Sequence, residues 1–160
     1  HESIVFLDTQ IAEQNKTLLA IAKEHEVCQR VMRVPGIGFL TATILLTVAG
    51  RSSDFKNGRE FAAYLGLVPR QHSTGGKQRL LGITKRGNAD VRTFLIHGAR
   101  AVLRSMRMGK TPLGEGRRTK WITEVADRCG PNRASVALAN KMARIAWSMM
   151  AHGTEYKMAA

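Results

Sequence analysis

The sequence has few cysteines and no long apolar run. Its two cysteines, Cys28 and Cys129, lie far apart and without CxxC or Cys-His spacing, which excludes a disulfide scaffold and disfavours a zinc site. We therefore expect reduced thiols in a cytoplasmic protein. The longest uncharged stretch, residues 34–50, is interrupted by glycine, proline and threonine, so neither a membrane span nor a membrane partner is predicted.

Acidic residues are also scarce. The chain has 25 Lys and Arg against 12 Asp and Glu, a formal net charge of +13. Between residues 66 and 123, thirteen basic residues stand against Asp90 and Glu115 alone. This concentration of charge predicts a surface that binds a polyanion such as nucleic acid, the alternative being a basic surface that serves solubility. The carboxylates are too few for a self-contained two-metal nuclease, and the histidines lack metal-ligand spacing, so no metal site is predicted in this chain.

Apolar residues recur at helical spacing through most of the chain and no alternating strand pattern of any length is present, which predicts a mainly α-helical fold. Residues 1–28 are predicted to be the end of a coiled-coil helix, residues 29–152 a small helical domain, and residues 153–160 a frayed tail. The chain enters this helical pattern at His1 rather than at Met, so we expect part of the protein to lie upstream.

Local signals place several helices within the domain. Asn57 and Asn88 precede apolar periodic segments and are predicted to begin helices. The helix after Asn88 is predicted to carry a stripe of Arg100, Arg104 and Arg107 on one face. The densest apolar pattern, from about residue 133 to residue 151, predicts a helix in the core.

Gly36 and Gly38 belong to the run Val-Pro-Gly-Ile-Gly, directly before an apolar stretch that predicts a helix. Two glycines at this spacing leave backbone N–H groups open to a phosphate oxygen at a helix N-terminus. The element is therefore interpreted as helix-hairpin-helix-like, a motif that contacts nucleic acid backbone. The alternative is an ordinary corner between two helices that packs Ile37 inward and binds nothing.

Residues 68–86 lose the helical periodicity and predict a basic, glycine-rich loop, or at most a hairpin. The centre of this segment reads His-Ser-Thr-Gly-Gly-Lys, residues 72–77. A serine flanked by glycines can approach a phosphodiester without steric obstruction, while Lys77, Arg79 and backbone N–H groups neutralise a pentacovalent phosphate. The alternative is a passive turn that contacts phosphate without chemistry.

An ordered series of runs extends along the chain. They are Val-Pro-Gly-Ile-Gly at 34–38, Phe-Lys-Asn-Gly-Arg at 55–59, Phe-Ala-Ala-Tyr-Leu-Gly-Leu-Val-Pro-Arg at 61–70, His-Ser-Thr-Gly-Gly-Lys at 72–77, Gly-Ile-Thr-Lys-Arg-Gly-Asn at 82–88, Ile-His-Gly-Ala-Arg at 96–100 and Asn-Arg-Ala-Ser-Val-Ala-Leu-Ala-Asn-Lys-Met-Ala-Arg-Ile-Ala-Trp at 132–147. From about residue 30 to residue 152 the chain resembles the C-terminal, serine-bearing domain of the one-ten and eleven-eleven type insertion-sequence transposases. The series as a whole is far more specific than any one run.

The resemblance implies an RNA-guided recombinase of a bacterial mobile element, associated with the nucleoid. In that family a RuvC-like domain with four acidic metal ligands precedes a coiled coil and then the serine-bearing domain. Mg²⁺ is then expected in the RuvC-like domain, and no cofactor in this chain. The loop serine attacks a DNA phosphodiester and forms a covalent phosphoserine link. The implied partners are DNA, a guide (bridge) RNA, the RuvC-like domain of the same protein and further copies of the chain, from dimer to tetramer.

Carried over by position, the nucleophile falls on Ser73, with Thr74 as the alternative. The family commonly has two serines before the glycine pair; here the second is Thr, and the less hindered primary hydroxyl favours Ser73. The residues implied to hold DNA or guide RNA, without reading bases, are Gly36, Gly38, Arg70, His72, Gly75, Gly76, Lys77, Arg79, Lys85, Arg86 and Arg92. Two alternatives without catalysis are a helix-hairpin-helix module that binds DNA or RNA, and a dimerisation domain built on the first helix.

Overall fold

The computed structural model describes residues 2–74 and 77–158, without the side chains of residues 49, 73, 74, 77 and 78. The helices are α1 (Glu2–Glu24), α2 (Glu26–Val31), α3 (Phe39–Ala49), α4 (Gly58–Tyr64), α5 (Ala89–Arg107), α6 (Arg117–Cys129) and α7 (Pro131–His152), with a 3-10 turn at Ser52–Asp54. Two strands, β1 (Pro69–Thr74) and β2 (Lys77–Ile83), lie between α4 and α5. The predicted mainly helical fold is confirmed. Within these ranges no helix has the length and apolar character needed to cross a membrane.

The core is built around α7. This helix is buried along most of its length, and its inward side chains include Leu138, Met142 and Met149. α5, α6 and α4 pack against it, the last two contributing the fully buried side chains of Ile122 and Phe61. The prediction of a core helix from the apolar pattern is confirmed, and burial of these side chains is the main source of stability.

Asparagine side chains begin α4 and α5, as predicted. Asn57 Oδ1 accepts hydrogen bonds from the backbone N–H of Arg59 at 2.9 Å and of Glu60 at 3.1 Å. Asn88 Oδ1 accepts one from the N–H of Val91 at 3.0 Å. These bonds satisfy N–H groups that have no partner inside a helix. Local sequence therefore fixes both helix starts.

The predicted coiled-coil helix of residues 1–28 is interrupted in the structure. α1 ends at Glu24, and His25 has an extended backbone (φ −83°, ψ 117°) before α2 begins. The last turns of α1 pack on α2 and α3, where Ala22 is buried. Apolar side chains nearer its N-terminus are exposed: Ile4, Val5, Phe6, Leu7 and Ile11. An exposed apolar face on a helix is typical of pairing with another helix, so the coiled coil stays a prediction.

The segment predicted as a basic, glycine-rich loop or at most a hairpin contains two paired strands. β1 and β2 pair antiparallel, with Gln71 opposite Leu80 and His72 opposite Arg79. Periodicity reveals a strand when one of its faces is buried and apolar, but residues 70–72 and 79–82 are exposed. Of the two forms predicted for residues 68–86, the hairpin is therefore the one observed in their described part.

The segment after α7, predicted as a frayed tail, makes contacts with the body of the domain. Gly153 ends α7 in a left-handed conformation (φ 63°), and residues 153–158 continue without regular secondary structure. Glu155 forms an ion pair with Arg33, and Tyr156 packs against the core. These contacts hold the described part of the tail beside α7.

A close backbone contact joins the turn before α3 to α5. Gly36 has a left-handed backbone (φ 90°), and a Cβ placed at Gly98 would lie 1.9 Å from the carbonyl oxygen of Gly36. A Cβ at Gly36 would lie 2.8 Å from the carbonyl oxygen of Gly98. Neither position can carry a side chain unless the turn and the helix move apart.

Replacing Gly98 by alanine is expected to lower the free energy of unfolding by about 2 to 3 kcal/mol, because the added Cβ overpacks the contact and outweighs alanine's better helix propensity. Urea denaturation followed by circular dichroism measures the change. Gly50→Ala is the matched control, since a Cβ there meets nothing within 4 Å and the backbone is helical (φ −60°). Equal stability of Gly98→Ala and the unaltered protein would show that the contact is not required.

Candidate nucleic-acid interface

The hairpin of β1 and β2 stands out from the helical body. Arg70, His72 and Arg79 are exposed, and Leu80 has 64% of its surface accessible. His72 lies directly opposite Arg79, so the two side chains share one face of the hairpin. A guanidinium beside an imidazole on an exposed strand pair can contact consecutive phosphates of a nucleic acid.

The candidate nucleophiles lie at the end of β1. In the backbone register, Ser73 is opposite Gln78 and Thr74 is opposite Lys77. The side chains of these four residues are outside the described part of the structure, as are Gly75 and Gly76, which connect the strands in the sequence. The roles predicted for Ser73, Thr74, Gly75, Gly76 and Lys77 therefore stay predictions.

The two strands do not match residue for residue near the helical body. One residue, Arg70, separates the paired positions Pro69 and Gln71 of β1, whereas Leu81 and Gly82 separate the corresponding positions of β2. This extra residue is a β-bulge, which bends a strand pair and increases its twist.

The base of the hairpin is fixed to α4 by close backbone approaches. The N–H of Lys85 donates to the carbonyl oxygen of Gly66 at 3.2 Å. Gly66 and Gly87 both have left-handed backbones (φ 71° and 78°). A Cβ at Gly66 would lie 2.3 Å from the carbonyl oxygen of Arg86, and one at Gly87 would lie 1.7 Å from that of Tyr64. Only glycine allows the chain entering and leaving the hairpin to pass so close to α4.

Arg92 on α5 closes this base. Its Nη1 donates to the carbonyl oxygen of Leu65 at 3.0 Å and to that of Arg86 at 3.2 Å. The first acceptor is at the C-terminal end of α4, where a cation also interacts favourably with the helix dipole. The contacts of Arg92 in the structure are therefore internal, and its predicted contact with a phosphate stays a prediction.

α7 supplies a further anchor that the sequence did not indicate. Asn140 Nδ2 donates to the carbonyl oxygen of Leu67 at 3.2 Å. Asn140 is a partly buried polar residue within an apolar helix, and such residues have a hydrogen-bond partner in folded proteins. That signal marks Asn140 as bonded but does not reveal its partner.

The glycines of the turn before α3 differ in their surroundings. Gly36 is packed against Gly98, and Ile37 between the two glycines is buried. Burial of Ile37 is what the alternative interpretation, an ordinary corner between two helices, predicts. Gly38 is exposed and precedes the first residue of α3, where a Cβ would meet nothing within 4 Å. A nucleic acid contact by this turn, and its helix-hairpin-helix character, stay predictions.

Further cations lie around the hairpin base and along α5. Lys85 and Arg86 are exposed where the chain leaves β2, and Lys85 has a left-handed backbone (φ 56°). The predicted stripe on α5 is exposed along its length: Arg100, Arg104 and Arg107. The positive surface is thus not confined to the hairpin.

A cleft that the sequence did not reveal lies at the N-terminal end of α4. It has a volume of about 840 Å³ and lies between the start of α4, the start of α6, the second half of α7 and the tail. Its lining includes five cationic side chains: Arg59, Arg118, Lys141, Arg144 and Lys157. Burial, followed by the charges of Arg118 and Arg144, holds the pKa of Lys141 below its usual value.

Metal-ligating side chains are dispersed. Among residues 2–74 and 77–158, no three His, Cys, Asp or Glu side chains are grouped so that they could hold a metal ion.

The comparison with known families decides which protein family this fold belongs to. The Transposase IS116/IS110/IS902 family matches residues 28–112, more than half of the chain. The chain belongs to this transposase family. The match extends from within α2 through the hairpin and α5, so it includes every residue implied to hold nucleic acid and both candidate nucleophiles.

Curated members of the transposase family are similar over nearly the whole chain. The transposase for insertion sequence element IS1111A of Coxiella burnetii is 45% identical over 153 residues, 96% of this chain and 41% of the relative. A probable family 20 transposase of Pseudomonas aeruginosa is 44% identical over 151 residues, 94% of this chain and 43% of the relative. The transposase for insertion sequence element IS1328 of Yersinia enterocolitica is 38% identical over 156 residues, 98% of this chain and 45% of the relative. The chain spans less than half the length of these relatives. The resemblance to insertion-sequence transposases that its motifs indicated is confirmed.

Replacing Arg92 by methionine is expected to lower the free energy of unfolding by about 1 to 3 kcal/mol, because two carbonyl oxygens lose a charged donor. Arg79→Met makes the same change in charge on the exposed hairpin, and we expect it to alter stability by less than about 0.5 kcal/mol. Urea denaturation of both variants measures the difference. Equal effects of the two substitutions would contradict the anchoring role of Arg92.

Proposed function

We propose that this chain is the serine-bearing, nucleic-acid-binding part of an insertion-sequence transposase. The observation that carries the proposal is an exposed hairpin with cationic side chains whose base is fixed to α4, α5 and α7. A mobile loop would lose conformational freedom on binding, whereas an arm held at its base presents its groups with less loss. Ser73 is the proposed nucleophile of this arm.

The proposed step is a transesterification. Ser73 Oγ attacks a DNA phosphorus atom, a new P–O bond to serine forms, and the bond from phosphorus to one deoxyribose oxygen breaks. The serine hydroxyl loses its proton and the departing sugar oxygen gains one. The energy of the phosphodiester is kept in the phosphoserine link, so a hydroxyl of a second strand can reverse the step and complete strand exchange.

Cationic side chains on the hairpin support the binding of the strand that is attacked. Arg79 supplies positive charge on the exposed hairpin that carries Ser73, and a pentacovalent phosphate carries more negative charge than the starting diester. The same charges fix the position of the strand without reading its bases. Target choice is then proposed to come from pairing with a guide RNA.

The remaining partners belong to the whole protein. We propose that a RuvC-like domain with bound Mg²⁺ completes the site, because the described residues of this chain contain no group of three His, Cys, Asp or Glu side chains that could hold a metal ion. Further copies of the chain are proposed to assemble the site, with the exposed apolar face of α1 as the contact, from dimer to tetramer.

A second function has support from the arginines of α5. Arg100, Arg104 and Arg107 form an exposed cationic surface outside the hairpin, and a binding surface of this kind needs no nucleophile. A non-catalytic module that binds DNA or RNA is therefore the second candidate.

In the full-length protein supplied with its RNA, a DNA junction and Mg²⁺, Ser73→Ala is expected to reduce strand exchange by at least about a thousandfold, because the attacking oxygen is gone. DNA affinity and its salt dependence should stay unchanged, since no charge is removed. Gel analysis of DNA products and of protein–DNA adducts measures the first quantity, and fluorescence anisotropy measures the second.

Two further substitutions make this test specific. We expect Thr74→Ala to retain strand exchange if Ser73 is the nucleophile, because the attacking hydroxyl is then still present. Ser53→Ala, at an exposed serine of the 3-10 turn, is the control for a lost hydroxyl elsewhere. Full strand exchange by both Ser73→Ala and Thr74→Ala would exclude the catalytic role and leave the binding module.

A further inference from the structure

We propose that the cleft between α4, α6, α7 and the tail is a separate site for a phosphodiester of a nucleic acid strand. Its cationic lining residues come from parts of the sequence that are distant from one another, Arg59 on α4, Arg118 on α6, and Lys141 and Arg144 on α7. The proposal rests on nucleic acid binding by the chain but not on a serine nucleophile. It is distinct from the hairpin, since none of the hairpin's described residues lines the cleft.

The cleft carries a large excess of positive charge. Among the residues that the structure describes, five cations and one carboxylate, Glu155, line it. Glu155 is paired with Arg33, which is outside the lining, so it is not available to neutralise Lys141 or Arg144. Like charges held together without a counter-charge repel each other, and a bound anion relieves that repulsion.

Aromatic rings orient two of the cations. Lys141 Nζ lies 4.4 Å from the centre of the Trp121 ring, and the Arg118 guanidinium lies 5.0 Å from that of Tyr156. Cation–π contacts restrict these long side chains without cancelling their charge. An anion would therefore meet cations that are already partly ordered, which reduces the entropy lost on binding.

Burial of these cations is energetically unfavourable when no anion is bound. Arg118 Nη1 is buried and has no hydrogen-bond acceptor among the described residues. The lowered pKa of Lys141 has burial as its first cause and the neighbouring guanidinium groups as its second. A phosphate oxygen in the cleft would supply the missing negative charge and an acceptor for the cations that face it.

The position of the cleft favours a nucleic acid strand over a small anion. The cleft is at the first residues of α4, whereas the hairpin base is attached at the last residues of that helix. A helix of seven residues is about 10 Å long, a distance that one strand of a duplex covers in about three nucleotides. One strand can thus contact the hairpin base and the cleft together.

The test measures binding of the full-length protein to fluorescently labelled DNA and RNA of the same sequence, as a function of salt. We expect Lys141→Gln and Arg144→Gln each to weaken binding about 3- to 10-fold and to lower the slope of log K against log salt by about one, as loss of one phosphate contact does. Arg144 is exposed, so its substitution tests the site even if Lys141→Gln reduces stability.

The controls separate this site from general charge. Lys16→Gln removes the same charge from the exposed surface of α1 and is expected to change affinity less than about 1.5-fold. Lys141→Arg should restore most of the affinity because it restores the charge. A loss for DNA alone assigns the site to DNA, a loss for RNA alone assigns it to RNA, and a loss for both assigns it to the shared phosphodiester.

Two results would overturn the inference, and they are distinguishable. If Lys141→Gln and Arg144→Gln bind DNA and RNA with unchanged affinity and slope, the cleft is not a binding site although the proposed function stands. If the unaltered protein binds neither nucleic acid, the proposed function fails and this site fails with it.

Discussion

The arrangement at the hairpin depends on one guanidinium group. Arg92 Nη1 bonds to the last turn of α4 through Leu65 and to the strand exit through Arg86, so it joins α4, α5 and the hairpin at one point. An exposed strand pair has no buried face of its own, and its direction is therefore set at its base. The close approaches of Gly66 and Gly87 to neighbouring backbone, and the bond from Asn140, complete that base.

One positive surface lies at each end of α4. This short helix contacts α7 along its length, the hairpin leaves from its C-terminal end, and the basic cleft opens at its N-terminal end. Repulsion within each surface is tolerated because the uncharged core around α7 holds the elements together independently of salt. A polyanion that follows α4 would neutralise both surfaces, which relates the stability of the domain to its binding of nucleic acid.

Much of the fold could be predicted from local sequence. The asparagine caps of α4 and α5 and the apolar pattern of α7 each depend on residues close together in the chain. The hairpin was predicted only as the alternative to a loop, because residues 70–72 and 79–82 are exposed and no alternation of apolar residues marks the strands. The break at His25 was not predicted, because the helical pattern of apolar residues continues across it.

The sequence by itself determined the helical class, the excess of positive charge, the helix boundaries set by capping and the family to which the chain belongs. These properties follow from composition, from residues within a few positions of one another and from the order of motifs. Only the tertiary structure decided that Arg92 holds the hairpin base, that Gly36 meets Gly98, and that Arg59, Arg118 and Lys141 line one cleft. Such contacts join residues distant in the chain, and their partners are chosen by packing of the whole core rather than by any local preference.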